Sequence, residues 1–205
     1  IPEAVALKSD TAIEAEAATL RHVEAVSESV SIPLYIYQPP GTNPLFCVTA
    51  ERMTAIASLP NVTGIKVSTA DAGYILDLVW ATRGMEFAYI NGNETAYYAA
   101  LGMGVKACIG EGCCLAPRIV LAVLERFEAG DHAGAVDAQR SLNMLVQQNP
   151  GAVTFWKRYL AEKGWGVQPF SRDVSNNPYQ SSPGAISEDD YNAFKVRYEA
   201  ELARY

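Results

Sequence analysis

Basic residues are scarce in this chain. Lys and Arg number 16 against 23 Asp and Glu, for a formal net charge of −7, and no basic run occurs. Phosphate backbones are held by clustered cations, so composition argues against a nucleic-acid partner. Also missing is any apolar stretch near the roughly 20 residues that a spanning helix needs, and no leader-like segment opens the chain. These absences lead us to expect a cytoplasmic protein without a membrane partner. Histidine is limited to His22 and His132, and cysteine to positions 47, 108, 113 and 114. The adjacent Cys113-Cys114 pair has the spacing of neither a zinc knuckle nor a thioredoxin-type motif, so free thiols and no metal are expected. No G-x-G-x-x-G follows a predicted strand. Gly102-Met103-Gly104 precedes one instead and reads as a helix stop, which removes the dinucleotide-binding reading.

What is present is a globular composition, 49% hydrophobic and 19% charged over 205 residues. That suffices for one domain of ordinary size plus a helical appendix. Residues 12 to 29 place Ile13, Ala17, Leu20, Val23 and Val26 at helical spacing, which predicts an amphipathic helix. Leu34 to Tyr37 is an apolar run between Pro33 and Gln38-Pro39-Pro40-Gly41, hence a strand ending in a rigid turn. The alternation then repeats. Thr49 caps a helix to about Leu59, Val62 to Val67 is a strand, and Ala70 to Thr82 is a helix ended by Gly84. Phe87 to Ile90 is a third strand, and Asn93 caps a helix running to about Gly102. Val105 to Ile109 is a fourth strand, broken by Gly110-Glu111-Gly112. Pro117 starts a helix that Gly130 stops. Four βα units in a row predict a parallel sheet with crossover helices. Beyond Gly130 the alternation ends. Asp131 to Gln148 and Val153 to Lys163 read as helices, Ser171 to Gly184 as a polar loop, and Glu188 to Ala203 as a last helix capped by Ser187. The expected division is therefore 1–130 for the α/β part and 131–205 for a helical extension.

In parallel α/β folds the loops after the strands open on one face, where function gathers. Strand alternation puts Ile65 and Val67 on the helix side and Val62, Gly64, Lys66 and Ser68 on the other. Leu34 and Ile36 likewise face the helices, which sets Tyr35 and Tyr37 beside Lys66. An amine and a phenol thus share one interior space, above the room left by Gly64. Desolvation there would favour the neutral amine, a nucleophile that forms Schiff bases with ketones. Tyr37 would relay the protons of that reaction. Spacing alone leaves a second reading open, a lysine snorkelling to the rim beside a packing tyrosine. Glu94 reads first as an acid in the opening turn, favouring the helix dipole, and second as a contact to a substrate hydroxyl. Glu111 reads equally as a rim carboxylate or a solvated loop residue. Trp80, Trp156 and Trp165 read as packing residues.

Taken in order and spacing, IPLYIYQPPG, NVTGIKVST, YINGNE and LGMGVKACIGEGCCLAP resemble the dihydrodipicolinate synthase / N-acetylneuraminate lyase family of class I aldolases. The likeness covers roughly Ile32 to Leu145. It implies a (β/α)8 barrel and chemistry on pyruvate or a related 2-oxo acid. By this resemblance Lys66 matches the Schiff-base lysine, and Tyr37 the tyrosine of the Y-N-x-P turn. Gly92 matches the glycine of the turn after the seventh strand, and Ile109 an apolar contact from the eighth. The covalent imine implies no separate cofactor. The family also implies a homo-oligomer, a dimer or tetramer.

Two departures bear on function. Dihydrodipicolinate synthases carry a carboxylate-binding arginine shortly after the turn proline. Gly41-Thr42-Asn43 stands here, which points to another aldehyde or a sugar acid. The family's first half, with its Gly-Thr-Thr-Gly-Glu loop, has no counterpart, so the chain matches strands five to eight alone. The expected fold class is the C-terminal half of a (β/α)8 barrel followed by a helical extension. The first residue is Ile rather than Met, and we expect a fragment of a longer enzyme with little turnover by itself. Two alternatives stay open at this point. One is an inactive half-barrel that serves as an assembly or binding module, and the other is a keto-deoxy sugar acid dehydratase of the same family.

Overall fold

The structure, a computed structural model, describes residues 12–169 and 186–205. The loop expected at Ser171 to Gly184 lies outside the described residues. The described elements run α1 (Ala12–Ser29), β1 (Leu34–Gln38), α2 (Ala50–Ala57), β2 (Val62–Val67), α3 (Ala72–Ala81), β3 (Ala88–Asn91), α4 (Tyr97–Gly102), β4 (Ala107–Cys108), α5 (Glu111–Leu115), α6 (Pro117–Glu128), α7 (His132–Gln148), α8 (Val153–Glu162) and α9 (Glu188–Leu202). Short 3-10 turns at Pro44–Phe46 and Glu94–Ala96 precede α2 and α4.

The four strands form one parallel sheet in the order β1-β2-β3-β4. Sequential βα units give that order because each crossover helix returns the chain to the next place in the sheet. Side-chain caps start the helices where orphan amides need acceptors. Thr49 accepts from Arg52 N–H, Asp71 from Tyr74 N–H, Asp131 from Gly134 N–H and Ser187 from Asp190 N–H. Gly130 takes φ 78°, a left-handed conformation that ends α6 at little steric cost.

Two apolar clusters hold the described residues together. The first lies between the sheet and its helices and contains Met53, Ile56, Ile65, Val67, Ile75, Leu78 and Tyr89. The second is helical and joins Leu115, Ile119 and Val123 to Leu142, Leu145, Phe155, Tyr191, Phe194 and Tyr198. It begins already at Tyr97 and Leu101 of α4, so α5 and α6 share a core with α7 to α9 on both sides of Gly130.

Several expectations change locally. The pairing of β1 with β2 slips between Leu34 and Tyr35, whose partners are Val62 and Gly64. The extra residue reverses facing below it, so Val62 is buried in the sheet–helix cluster rather than beside Lys66. The fourth strand is reduced to Ala107–Cys108, because it pairs only with the four-residue β3 while Val105 N–H turns back to the Ala100 carbonyl. The segment after Asn93 begins as a 3-10 turn, and a five-residue helix, α5, occupies the expected break at Gly110-Glu111-Gly112. Trp80 and Trp165 are exposed, and Trp156 is partly buried against the helical cluster. α3 buries Ile75 and Leu78, and Trp80 falls off that face under the Arg83 guanidinium, 4.5 Å from the ring centroid.

Candidate active site

Strand register brings the expected residues together. Tyr37 of β1 pairs with Lys66 of β2, and Lys66 with Ile90 of β3, which in turn pairs with Ala107 of β4. These residues share one sheet face, and Ile109, two residues beyond Ala107, continues it. The Ile109 amide donates to the Asn91 carbonyl at 2.9 Å. Gly64 sits two pairs below Lys66, opposite Tyr35. A Cβ there would run into the Tyr35 ring and approach the Ala88 carbonyl oxygen at 2.7 Å, so glycine lets the phenol lie across β2.

Lys66 is half-buried, its Nζ 4.6 Å from the centroid of the Tyr37 ring. That is within range of a cation–π contact. The Tyr37 hydroxyl lies 3.3 Å from Ser68 Oγ. Above them a cavity of about 330 Å³ is lined by Tyr37, Pro40, Lys66, Ser68, Gly92, Asn93 and Glu111. Gly92 is held against the end of β2, its N–H donating to the Val67 carbonyl at 2.8 Å. A side chain at 92 would meet Ser68 Oγ and Cα at 2.5 and 2.9 Å and that carbonyl at 2.8 Å. The glycine is thus required by close approach. The face is open: Tyr35 is 54% exposed, Tyr37 45% and Ile109 51%. Ile109 stands outside the cavity lining.

With this geometry in place, likeness to known proteins becomes informative. Residues 14–180 match the model of the dihydrodipicolinate synthetase family. The chain belongs to that family. A 4-hydroxy-tetrahydrodipicolinate synthase from Nitrosospira multiformis is 28% identical over 173 residues, covering 82% of this chain and 57% of the relative. A monomeric dihydrodipicolinate synthase variant superposes with a TM-score of 0.75 at 21% identity, over 92% of this chain and 61% of that one. A prophage protein of the dihydrodipicolinic acid synthase family from E. coli K12, solved in complex with pyruvate, gives 0.72 at 21%, over 91% and 61%. At that identity the superpositions establish a shared fold. The chain spans somewhat more than half the length of these family members.

Glu94 lies in the first turn after β3, as expected, and its carboxylate has a further role. Glu94 is buried, and its carboxylate accepts the Gly112 N–H at 2.6 Å, which ties the loop after β3 to α5. A Cβ at Gly110 would collide with the Glu94 carboxylate, and one at Gly112 would come within 2.8 Å of its Oε1. The glycines flanking Glu111, read as a strand break, are the room that this carboxylate occupies. Their spacing was the available signal. Glu111 stands at the cavity rim with its pKa raised, first by burial and then by the nearby charge of Glu94. Asn93, expected only as a cap, caps the turn through Thr95 N–H and lines the cavity too. Among the described residues no cluster of His, Cys, Asp and Glu could hold a metal ion, and no helix is long and apolar enough to cross a membrane.

Proposed function

We propose that these residues form the imine-bearing part of a lyase that acts on pyruvate or a related 2-oxo acid. The observation that carries this reading is the register pairing of Tyr37 with Lys66, with the amine 4.6 Å from the phenol ring at the mouth of the cavity. In the proposed reaction the Lys66 amine, having given up a proton, attacks the keto carbon and forms a C–N bond. The carbinolamine then loses its oxygen as water, leaving a C=N bond. Tyr37 relays the protons of both steps, with Ser68 3.3 Å from its hydroxyl as the next link. The protonated imine is itself the electron sink for breaking or making a bond at the neighbouring carbon, so the scheme calls for no separate cofactor. Gly92 lines the cavity where it closes against the end of β2, and Ile109 continues the apolar side of the face. The pyruvate complex of the E. coli K12 relative supports this substrate class.

The sheet in this proposal is the C-terminal half of a (β/α)8 barrel, with the helices beyond Gly130 as its extension. β1 and β4 are its edges, and the Tyr35–Tyr37 face is the side a closed barrel would cover. The active protein then requires further strands, and it assembles as a homo-oligomer. Departure from the synthase turn at Gly41-Thr42-Asn43 favours an aldehyde or sugar-acid partner. A dehydratase that uses the same imine remains the variant of this reading. The exposed aromatic face favours one second reading, an assembly module without turnover; a stable oligomer that forms no adduct would select it.

The test is reductive trapping. Borohydride with pyruvate is expected to leave a reduced pyruvyl adduct on Lys66, located by peptide mass spectrometry and absent from Lys66→Arg. Adduct distributed over surface lysines, with Lys66 unmodified, would sink the proposal.

A further inference from the structure

Beside the candidate site stand two thiols that the imine chemistry does not use. Cys108 ends β4, and Cys113 lies on α5, five residues on. Their Sγ atoms are 3.7 Å apart, and the Cys113 thiol is also 3.7 Å from the Cys108 carbonyl oxygen. Asn91 directs its Nδ2 at Cys108 Sγ from 3.7 Å, donating its stronger bond to the Asn93 carbonyl at 2.7 Å. Both cysteines are free and partly buried, while Cys114 is exposed and lines a separate cavity with Trp156 and Tyr159. The fold therefore selects one pair out of three closely spaced cysteines. The sequence gives no hint of that choice, since the adjacent pair is 113–114.

We propose that Cys108 and Cys113 form an oxidisable dithiol that closes to a disulfide on reaction with hydrogen peroxide and reshapes the rim of the Lys66 cavity. The geometry supplies an attacking and a resolving sulfur. Cys113 sulfur attacks one peroxide oxygen, the O–O bond breaks, and Cys113 sulfenic acid and one water form. Cys108 sulfur then attacks the sulfenic sulfur, the S–O bond breaks, and the oxygen leaves as a second water. Each sulfur gives up one electron, both peroxide oxygens are reduced, and the two thiol protons end in the waters. The order follows from the surroundings. The hydrogen bond between the two sulfurs lowers the Cys113 pKa, with help from the Gly110 backbone and the Lys66 charge and opposition from burial and Glu94. Cys108 is raised in consequence. A disulfide needs an S–S distance of about 2.05 Å. Closing from 3.7 Å draws the first turn of α5 toward β4, and Glu111 rides on that turn at the cavity rim.

The test treats the purified protein with hydrogen peroxide, blocks remaining thiols, and follows the tryptic peptide Ala107 to Arg118, which holds all three cysteines. Loss of two hydrogens is expected in the parent and in Cys114→Ser, reversed by dithiothreitol, and absent from Cys108→Ser. Fragment ions of the unsubstituted peptide place the bond between 108 and 113, independently of how any variant folds. A bond placed between 113 and 114, its persistence in Cys108→Ser, or oxidation that stops at isolated sulfinic acid would each overturn the proposal.

Discussion

At the scale of single residues, the pairing of Tyr37 with Lys66 separates two roles for the phenol. Its ring faces the amine and its hydroxyl reaches Ser68 at 3.3 Å. Tyr37→Phe keeps the first contact and removes the second. A proton relay contributes about 10²–10⁴-fold in rate. The variant is therefore expected to slow borohydride-trapped adduct formation by about 10²-fold with its folded stability nearly unchanged. An unaltered trapping rate would assign Tyr37 to packing alone. Glu111 has a separate, pH-dependent consequence. Its carboxyl pKa is raised in the fold, first by burial and then by Glu94, so the folded state holds its proton at a pH where the unfolded chain has released it. Protonated Glu111 stabilises the fold fully below the unfolded glutamate pKa of about 4.3, and this contribution is lost as pH rises through the higher folded value. Glu111→Gln should flatten that part of the stability profile and match or exceed the parent at neutral pH, measured by urea unfolding across pH 4 to 8. A variant that loses stability at neutral pH would mean that the charged carboxylate is the stabilising form.

At the scale of elements, the helical cluster is organised by Phe155. Its ring packs edge-on to Phe194 at 4.6 Å and to Tyr198 at 5.6 Å, and tilted on Tyr191 at 5.3 Å. Phe155→Ala removes the shared centre of α8 and α9, at a cost of about 3–5 kcal/mol. Because the sheet has its own cluster, we expect α8 and α9 to loosen first, with near-ultraviolet aromatic ellipticity lost before the β signal on urea titration. One cooperative transition at unchanged midpoint would refute this separation. The same contrast explains what could be read beforehand. Helices of two or more turns carry a period, a cap or a stop, so α2 and α9 were legible from Thr49 and Ser187, α3 and α6 from their stops at Gly84 and Gly130, and α7 as a run from Asp131 to Gln148. The parallel order followed from the βα alternation. Helix α5 has five residues, too few for a period to show. The slip opposite Leu34 was invisible because alternation assumes an unbroken ladder, and it alone moves Val62 into the core. Lys66 and Tyr37 were legible as neighbours because they lie above that slip. Glu94 with Gly110 and Gly112 depends on how the loops after β3 and β4 fold over one another, for which the glycine spacing was the one local signal, and Cys108 with Cys113 depends on the turn from β4 into the short α5.

At the scale of the whole molecule, the question is what the open face does to a charged substrate. The cavity lining contains one cation, Lys66, and in the proposed reaction its charge is taken up by the imine. The other ionisable groups on the lining are the Tyr37 phenol and the Glu111 carboxyl, and an ionised Glu111 repels a 2-oxo acid carboxylate. A charge-assisted hydrogen bond to that carboxylate would be worth about 1.5–3 kcal/mol, a preference of about tenfold or more for pyruvate over its uncharged methyl ester. The described lining offers no second cation for such a bond, and its other side-chain donors, the Tyr37 and Ser68 hydroxyls and the Asn93 amide, are neutral. With half of Tyr37 in solvent, water also reaches the imine and hydrolyses it in competition with attack on a second substrate. These residues by themselves are therefore expected to form the Lys66 adduct with less than about tenfold preference for pyruvate over methyl pyruvate. They should show no measurable carbon–carbon bond turnover, and Glu111→Gln should raise trapping by pyruvate but not by the ester. Parallel trapping titrations and a coupled turnover assay read all three. A strong pyruvate preference in the parent would place a carboxylate site within these residues and remove the need for further strands to supply one.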